Sequence, residues 1–158
     1  MEQSKSIDLS VIIVSYNVEH FLHLCLESVY AAINNFNAEI IVIDNASADN
    51  SVEMMRKKFP STRVISNVDN LGFGKANNKA AKLAKGRYVC FLNPDTIVSQ
   101  KTFEKFIQLH EANPAIGISG PQMIDGTGQF LLESKRGLPT IKAAVFPSLG
   151  LFRLSERF

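Results

Sequence analysis

Short apolar runs alternate along the chain with longer segments in which apolar residues recur every three to four positions. Four runs are typical of buried strands, at residues 9–14, 39–43, 63–66 and 88–92. The segments between them have helical spacing, and the third and fourth helices are predicted near 74–84 and 99–112. The apolar residues expected to face inward are Leu22, Cys25, Leu26, Val29, Ile33, Val52, Met55, Phe59, Phe73, Ala76, Ala80, Leu83, Phe103, Phe106 and Ile107. This alternation predicts an α/β fold, a mainly parallel sheet with helices on both faces.

Polar residues mark the ends of these helices. Ser15 or Asn17 is expected to cap the first helix, and Ser47 or Asp49 the second. Gly86 is expected to stop the third helix.

The regular pattern ends soon after the fourth helix. Residues 116–119 are predicted to form a further short strand, and residues 123–132 a hairpin whose turn is signalled by Asp125-Gly126. From residue 134 the chain is basic and apolar without a clear period. The predicted organisation is a polar tail at 1–8, a domain at 9–133 and a basic, apolar tail at 134–158.

Composition narrows the class of protein. The chain has 158 residues, 46% hydrophobic and 20% charged, with a net charge of +2, which predicts one globular domain and no global field for nucleic acid. Residues 1–8 are polar and no apolar run is long enough for a membrane span, so we expect no secretory leader and a cytoplasmic location. Cys25 and Cys90 lie in apolar contexts and are interpreted as reduced core residues.

The run at 88–92 is apolar at both alternating positions, which predicts a buried central strand. It stops at Asn93-Pro94-Asp95, because Pro94 cannot donate to a ladder. Asp95 is therefore presented at the carboxyl end of a strand, the edge where open α/β sheets bind ligands. The alternative is that Asp95 or Ser99 only caps the following helix.

Two earlier strands end in similar polar clusters, Ser15-Tyr16-Asn17 and Asp44-Asn45. A carboxylate there can accept from the ring N–H of a pyrimidine, and a second can hold a divalent metal that bridges a pyrophosphate. The alternatives are Tyr16 in the core, Asp44 as a turn residue and Lys75 as a solvated residue. The sequence lacks the P-loop motif, the dinucleotide glycine fingerprint and the Gly-x-Ser-x-Gly of serine hydrolases.

In their order along the chain, four segments resemble glycosyltransferase family 2 and its GT-A fold, which is Rossmann-like. They are residues 11–17, 42–51, 70–78 and 91–96, the last containing Asn93-Pro94-Asp95-Thr96 where the family carries its Asp-x-Asp metal motif. The resemblance covers roughly residues 9–139. The Asn-Pro-Asp-Thr sequence is most similar to the rhamnosyltransferase-like members.

The resemblance implies a role for each matching residue. Asp44 would contact the base, with Ser15 and Tyr16 near the base and ribose. Asn17 and Asn45 belong to the same nucleotide-sugar-binding segments. The resemblance further places Lys75 and Asn78 near the ribose or diphosphate. Asp95 would bind Mg²⁺ or Mn²⁺, beside Asn93, which replaces the first carboxylate of the family motif by a weaker amide ligand.

The resemblance predicts an inverting glycosyltransferase that uses a dTDP- or UDP-sugar and a carbohydrate or lipid-linked acceptor in polysaccharide or glycoconjugate synthesis. Asp125, Glu133 and Glu156 do not match the family's base-bearing segment, so no catalytic base is identified and we expect the acceptor half to be missing. The alternative is a non-catalytic nucleotide-sugar-binding module. For the basic tail the alternatives are packing against a later half of the protein, docking at the inner face of a membrane, or self-association.

Overall fold

The structure, a computed structural model, describes residues 6–34, 36–124 and 127–130. The chain divides into two compact units, residues 1–116 and 117–158. The described part of the first unit has alternating strands and helices: β1 (Leu9–Ser15), α1 (Glu19–Ala32), β2 (Ala38–Asp44), α2 (Ser51–Lys58), β3 (Arg63–Ser66), α3 (Phe73–Ala81), β4 (Tyr88–Leu92) and α4 (Thr102–Ala112).

The strands form one parallel sheet in the order β3-β2-β1-β4. Every residue of β1 is buried, as expected for a strand with neighbours on both sides and helices on both faces. The predicted α/β fold, a mainly parallel sheet flanked by helices, is therefore confirmed.

Alternation along β1 divides the core between the two faces of the sheet. Val11 and Ile13 belong to a cluster with apolar residues of α1, α2 and α4. Ile12 and Val14 belong to a second cluster with Ala76 and Ala80 of α3. The helix α3 therefore packs on this face of the sheet through two alanines.

The prediction that residues 88–92 form a central strand is wrong. In the described part of the chain β4 pairs only with β1 and lies at the edge of the sheet. Tyr88, Cys90 and Leu92 pack on the α1 side, whereas Val89 and Phe91 are 42% and 54% exposed on the opposite face. The apolar residues on both faces of β4 predict that both faces are buried. The face that carries Val89 and Phe91 is not, because α3 covers β1 and β2 instead.

Other local predictions are also corrected. Residues 116–119 form no strand, and Ile118 is 93% exposed. Phe73 is 60% exposed, because it opens α3 three residues before the first helix residue that packs on the sheet. The helix α3 ends at Ala81, before the predicted stop at Gly86.

In the second unit, one antiparallel bridge joins Ile124 to Phe130, at the position of the predicted hairpin. Its predicted turn at 125–126 and the tail at 134–158 lie outside the described residues. A search of the described residues found no helix long and apolar enough to cross a membrane.

Candidate functional site

The parallel register places the predicted site residues at one edge of the sheet. Ser15, the last residue of β1, is paired with Asp44, the last residue of β2. On the other side Asp44 is paired with Ser66, which ends β3. The residue Leu92 that ends β4 is paired with Ile13, two residues before the end of β1. The sheet therefore brings the three polar strand ends together, as the sequence predicts.

Ser15 and Asp44 each hold a buried oxygen with an unused hydrogen-bonding capacity. Asp44 is 2% exposed and Ser15 fully buried. The Oδ2 atom of Asp44 accepts from the Ser47 N–H at 3.1 Å. Within the described residues neither Asp44 Oδ1 nor Ser15 Oγ has a hydrogen-bond partner. Leaving such a group unpaired costs about 1–3 kcal/mol. Ser51 Oγ, at the start of α2, is a third such atom, but the two on paired strand ends make this edge of the sheet the candidate site.

The turns after β1 and β2 are bound to each other. The Asn17 N–H donates to Ser47 Oγ at 3.0 Å, and the Ala48 N–H donates to Asn17 Oδ1 at 2.7 Å. Two of these turn residues have left-handed backbones, Asn17 with φ of 53° and Ala46 with φ of 68°. Such conformations persist where surrounding contacts enforce them, often at functional sites. In the turn after β1, Tyr16 is 49% exposed.

One carboxylate joins the starts of α1 and α2. Asp49 accepts from the Glu19 N–H at 2.9 Å and from the Ser51 N–H at 3.1 Å. Burial alone would raise the pKa of Asp49, but hydrogen bonds from Ser51 and the Glu19 N–H lower it below its usual 3.8. The predicted capping of α2 by Ser47 or Asp49 is wrong in position: the N-cap is Asn50, which makes no side-chain cap hydrogen bond, and Asp49 binds the N–H of the first helix residue from one position earlier. The predicted capping of α1 by Ser15 or Asn17 is wrong, since Asp49 reaches it from the other turn.

Asn45 is 2% exposed and its carboxamide is bound to the loop at residues 67–72. Its Oδ1 atom accepts from Asn67 Nδ2 at 3.1 Å and from the Leu71 N–H at 3.0 Å. Its Nδ2 atom donates to Asn70 Oδ1 at 2.6 Å. The ligand role predicted for Asn45 stays a prediction, but its observed contacts are all to the protein.

The loop that carries Asp95 is attached to α1. The Cys25 thiol donates to the Asn93 carbonyl at 3.6 Å, and the Val98 N–H donates to Ser28 Oγ at 3.0 Å. Burial raises the pKa of Cys25 to about 12, so the thiol stays protonated and able to donate at neutral pH. The side chains of Asn93 and Asp95 are exposed.

The side-chain oxygens of Asn93 and Asp95 are the candidate ligands for a metal ion. The described residues contain no group of three or more His, Cys, Asp or Glu side chains placed to hold an ion. One carboxylate and one amide are oxygen donors, which suit Mg²⁺ or Mn²⁺ when phosphate and water supply the other ligands. The residues therefore fit an ion that arrives with a diphosphate.

Lys75 and Asn78 are the two residues of α3 that the resemblance places near the ribose or diphosphate. They line a groove of about 470 Å³ on α3 together with Lys79, Lys82 and Leu83. None of the three strand ends contributes to that groove. The roles predicted for Lys75 and Asn78 stay predictions.

Sequence reasoning missed the residues that hold the loops. Asn67 and Asn70 were not singled out as parts of the site. The hydrogen bond that Cys25 donates to the Asp95 loop, and the one that Ser28 accepts from it, were also missed. A usable signal existed for Asn70, because an Asn side chain often bonds the backbone two residues further on, as Asn70 does with the Gly72 N–H. For Ser28 and Cys25 the partners are 70 and 68 residues away, and no local pattern indicates them.

Comparison with known proteins gives the relatives of this chain. The chain is 35% identical over 114 residues to the minor teichoic acid biosynthesis protein GgaB of Bacillus subtilis (strain 168), covering 70% of this chain and 13% of that protein. S. aureus TarS 1–349 in complex with UDP-GlcNAc matches with a TM-score of 0.63 at 24% identity, over 73% of this chain and 37% of that one. The mannosyltransferase PcManGT from Pyrobaculum calidifontis, in complex with GDP-Man and Mn²⁺, gives a TM-score of 0.63 at 21% identity, over 72% and 35%.

These matches show the fold and the family. The two structures share the GT-A type of fold with the first unit, and the chain spans well under half the length of each of these three proteins. The sequence profile of the family described as "Glycosyl transferase family 2" matches residues 10–152, most of the chain. This protein belongs to glycosyltransferase family 2.

Proposed function

We propose that the first unit binds a nucleotide-diphospho-sugar and that the protein transfers the sugar to a hydroxyl acceptor. The observation that carries the proposal is the adjacent pair of buried oxygens, Ser15 Oγ and Asp44 Oδ1, which find no partner among the described residues. A nucleotide base that donates to Asp44 would satisfy the carboxylate. The solved structures in complex with UDP-GlcNAc and GDP-Man support this class of ligand.

The nucleotide is proposed to be UDP or dTDP. Uracil and thymine each carry one N3–H donor, which fits the single free oxygen of Asp44. The Ser15 hydroxyl can donate or accept, so it suits a neighbouring base or ribose oxygen. The exposed ring of Tyr16 can pack on the base or ribose.

The diphosphate is proposed to lie at the loop of Asn93 and Asp95. Asp95 would hold Mg²⁺ or Mn²⁺, with the Asn93 amide as a weaker or water-mediated ligand. A divalent ion bound there would neutralise charge on the leaving diphosphate. Cys25 and Ser28 would keep this loop in place by their hydrogen bonds to the Asn93 carbonyl and the Val98 N–H.

The transfer itself is proposed to be of a hexosyl or rhamnosyl group, with inversion, to a carbohydrate or lipid-linked hydroxyl. The name of the GgaB relative supports a product in polysaccharide or cell-wall polymer synthesis. We propose a cytoplasmic location at the inner face of the membrane, where lipid-linked acceptors are accessible. Deprotonation of the acceptor requires a general base, which is not assigned to a residue of this chain.

Substitution of Asp44 tests the proposal. Asp44→Asn keeps the shape but presents an amide where the base N–H requires an acceptor. Loss of a charge-assisted hydrogen bond costs about 1.5–3 kcal/mol, so the Kd for UDP or dTDP by calorimetry should rise about ten- to a hundredfold. Glu104→Gln on the exposed face of α4 is the matched control and should leave Kd unchanged. Equal affinity of wild type and Asp44→Asn would remove Asp44 from the site.

Substitution of Asp95 tests the metal. We expect UDP or dTDP to bind more tightly with Mg²⁺ or Mn²⁺ than with a chelator, and Asp95→Ala to abolish that increment. Uridine or thymidine, which lack phosphate, should be insensitive to both changes. Diphosphate binding of equal strength with and without metal would contradict this role and would favour a purely structural Asp95.

A further inference from the structure

We propose that Asn45 is a positioning residue, which fixes the loop at residues 67–72 beside Asp44 and thereby shapes one wall of the nucleotide site. The effect on nucleotide binding rests on the proposed function. The effect on the loop rests only on contacts within the first unit.

The carboxamide of Asn45 has little capacity left for a ligand. Both acceptor positions of its oxygen are used, by Asn67 Nδ2 and by the Leu71 N–H, and one of its two N–H donors is used by Asn70. The side chain is also 2% exposed. A ligand that donates to the Asn45 oxygen would therefore have to displace a contact with the loop, and only the second amide N–H is left for a ligand that accepts.

The loop is held at both ends as well as at its centre. The Asn67 N–H donates to the Asp44 carbonyl at 2.8 Å, and Lys79 Nζ of α3 donates to Asn67 Oδ1 at 2.5 Å. At the other end Asn70 Oδ1 accepts from the Gly72 N–H at 2.9 Å as well as from Asn45. Gly72 has a φ of 76°, a left-handed conformation that favours glycine, and leads into α3.

Asn45 connects this loop to the ends of two strands. It follows Asp44 directly, and its own N–H donates to the Ser15 carbonyl at 2.8 Å. One residue therefore contacts the ends of β1 and β2 through its backbone and the loop through its side chain. If that side chain is removed, the Leu71 N–H loses its acceptor, whereas the Asn67 N–H keeps its bond to the Asp44 carbonyl and the strand register is retained.

A double-mutant cycle between Asn45 and Asn70 tests the inference, with UDP affinity by calorimetry as the first readout. We expect Asn45→Ala and Asn70→Ala each to raise Kd about three- to tenfold, since each removes hydrogen bonds of ordinary strength. The two losses should be less than additive in the double variant, because either substitution removes the hydrogen bond that Asn45 and Asn70 share. Asn113→Ala, which removes an exposed asparagine that donates to the Leu109 carbonyl at the end of α4, is the matched control and should leave Kd unchanged.

Hydrogen exchange is the second readout and needs no ligand. The amides of Leu71 and Gly72 should exchange faster in both single variants, whereas the amides of β1 should not change. Asn70 is exposed, so Asn70→Ala keeps the test possible if Asn45→Ala does not fold.

The outcomes separate the inference from the function on which it rests. Additive losses in Kd would indicate that Asn45 contacts the nucleotide independently, and would overturn the positioning role. Unchanged exchange at Leu71 and Gly72 in Asn70→Ala, or unchanged affinity despite faster exchange, would also overturn it. Failure of the wild type to bind UDP or dTDP would overturn the proposed function and the ligand part of the inference together, and the exchange data would then decide only whether Asn45 and Asn70 hold the loop.

Discussion

At the scale of the residue, Gly86 shows how little space separates the segment after α3 from β1. Its N–H donates to Ser10 Oγ at 2.8 Å. A Cβ at this position would lie 2.4 Å from Ser10 N and 2.7 Å from Leu9 C, which are backbone atoms and cannot move aside. The segment can approach the strand this closely only with glycine.

We therefore expect Gly86→Ala to lower the free energy of unfolding by about 1–3 kcal/mol, as overpacking does. Gly74→Ala is the matched control, because Gly74 lies in α3 and a Cβ there meets nothing within 4 Å. Alanine should stabilise that helix by up to about 1 kcal/mol. Urea denaturation of the three proteins measures both effects, and equal loss in both variants would contradict the steric explanation.

Single residues were predictable where the signal is local. Asp44 follows an apolar run directly, so the sequence alone places it at a strand end, and the structure confirms that placement. The left-handed backbone of Ala46 has no such signal, because alanine is not a residue that favours positive φ. The attachment of Asn17 to Ala48 spans 31 residues, so only the folded chain reveals it.

At the scale of the element, Asp49 couples two helices that the sequence presents as independent. Its carboxylate accepts from the first turns of both α1 and α2. Negative charge at a helix N-terminus is favourable, and loss of one capping side chain costs about 0.5–2 kcal/mol. We expect Asp49→Ala to lower the free energy of unfolding by about 1–2 kcal/mol at pH 7, whereas Asp69→Ala in an exposed loop should have little effect.

The same contacts predict a pH dependence. The folded-state pKa of Asp49 is lowered below 3.8, so its stabilisation is fully present above the unfolded-state pKa and is lost as the pH falls through the folded-state value. The difference in stability between wild type and Asp49→Asn should therefore be constant near neutrality and shrink below about pH 4. Urea denaturation from pH 7 to pH 3 measures it, and a difference that grows on acidification would contradict the capping role.

The elements themselves were largely predictable, and the exceptions have physical reasons. Apolar runs and helical spacing located all eight elements of the first unit, because burial in a layered fold imposes those periods. The position of β4 was not predictable. Its apolar residues on both faces are typical of a strand in the middle of a sheet. The order of the strands depends on long-range pairing, which the periodicity of the sequence does not encode.

At the scale of the whole molecule, one edge of the sheet carries both Asp44, proposed to bind the nucleotide base, and the loop of Asp95, proposed to bind a metal. The register sets Ser15 beside Asp44, and α1 ties the loop of Asp95 to the same unit through Ser28. The residues proposed to bind the donor all belong to the first unit. Attack by an acceptor requires in addition a general base and a surface that orients the hydroxyl group, and neither has been assigned to this chain.

We therefore expect residues 1–158 to bind UDP or dTDP but to transfer sugar to added acceptors slowly. General-base assistance contributes about 10²- to 10⁴-fold, and orientation of the acceptor can contribute more. The rate of transfer is measured with a panel of UDP- and dTDP-sugars in the presence of Mg²⁺ or Mn²⁺. Calorimetry of the same preparation measures nucleotide binding, and Asp44→Asn is the control for donor binding. Fast transfer that Asp44→Asn abolishes would contradict this expectation, since the general base and the surface that orients the acceptor would then both lie within these 158 residues.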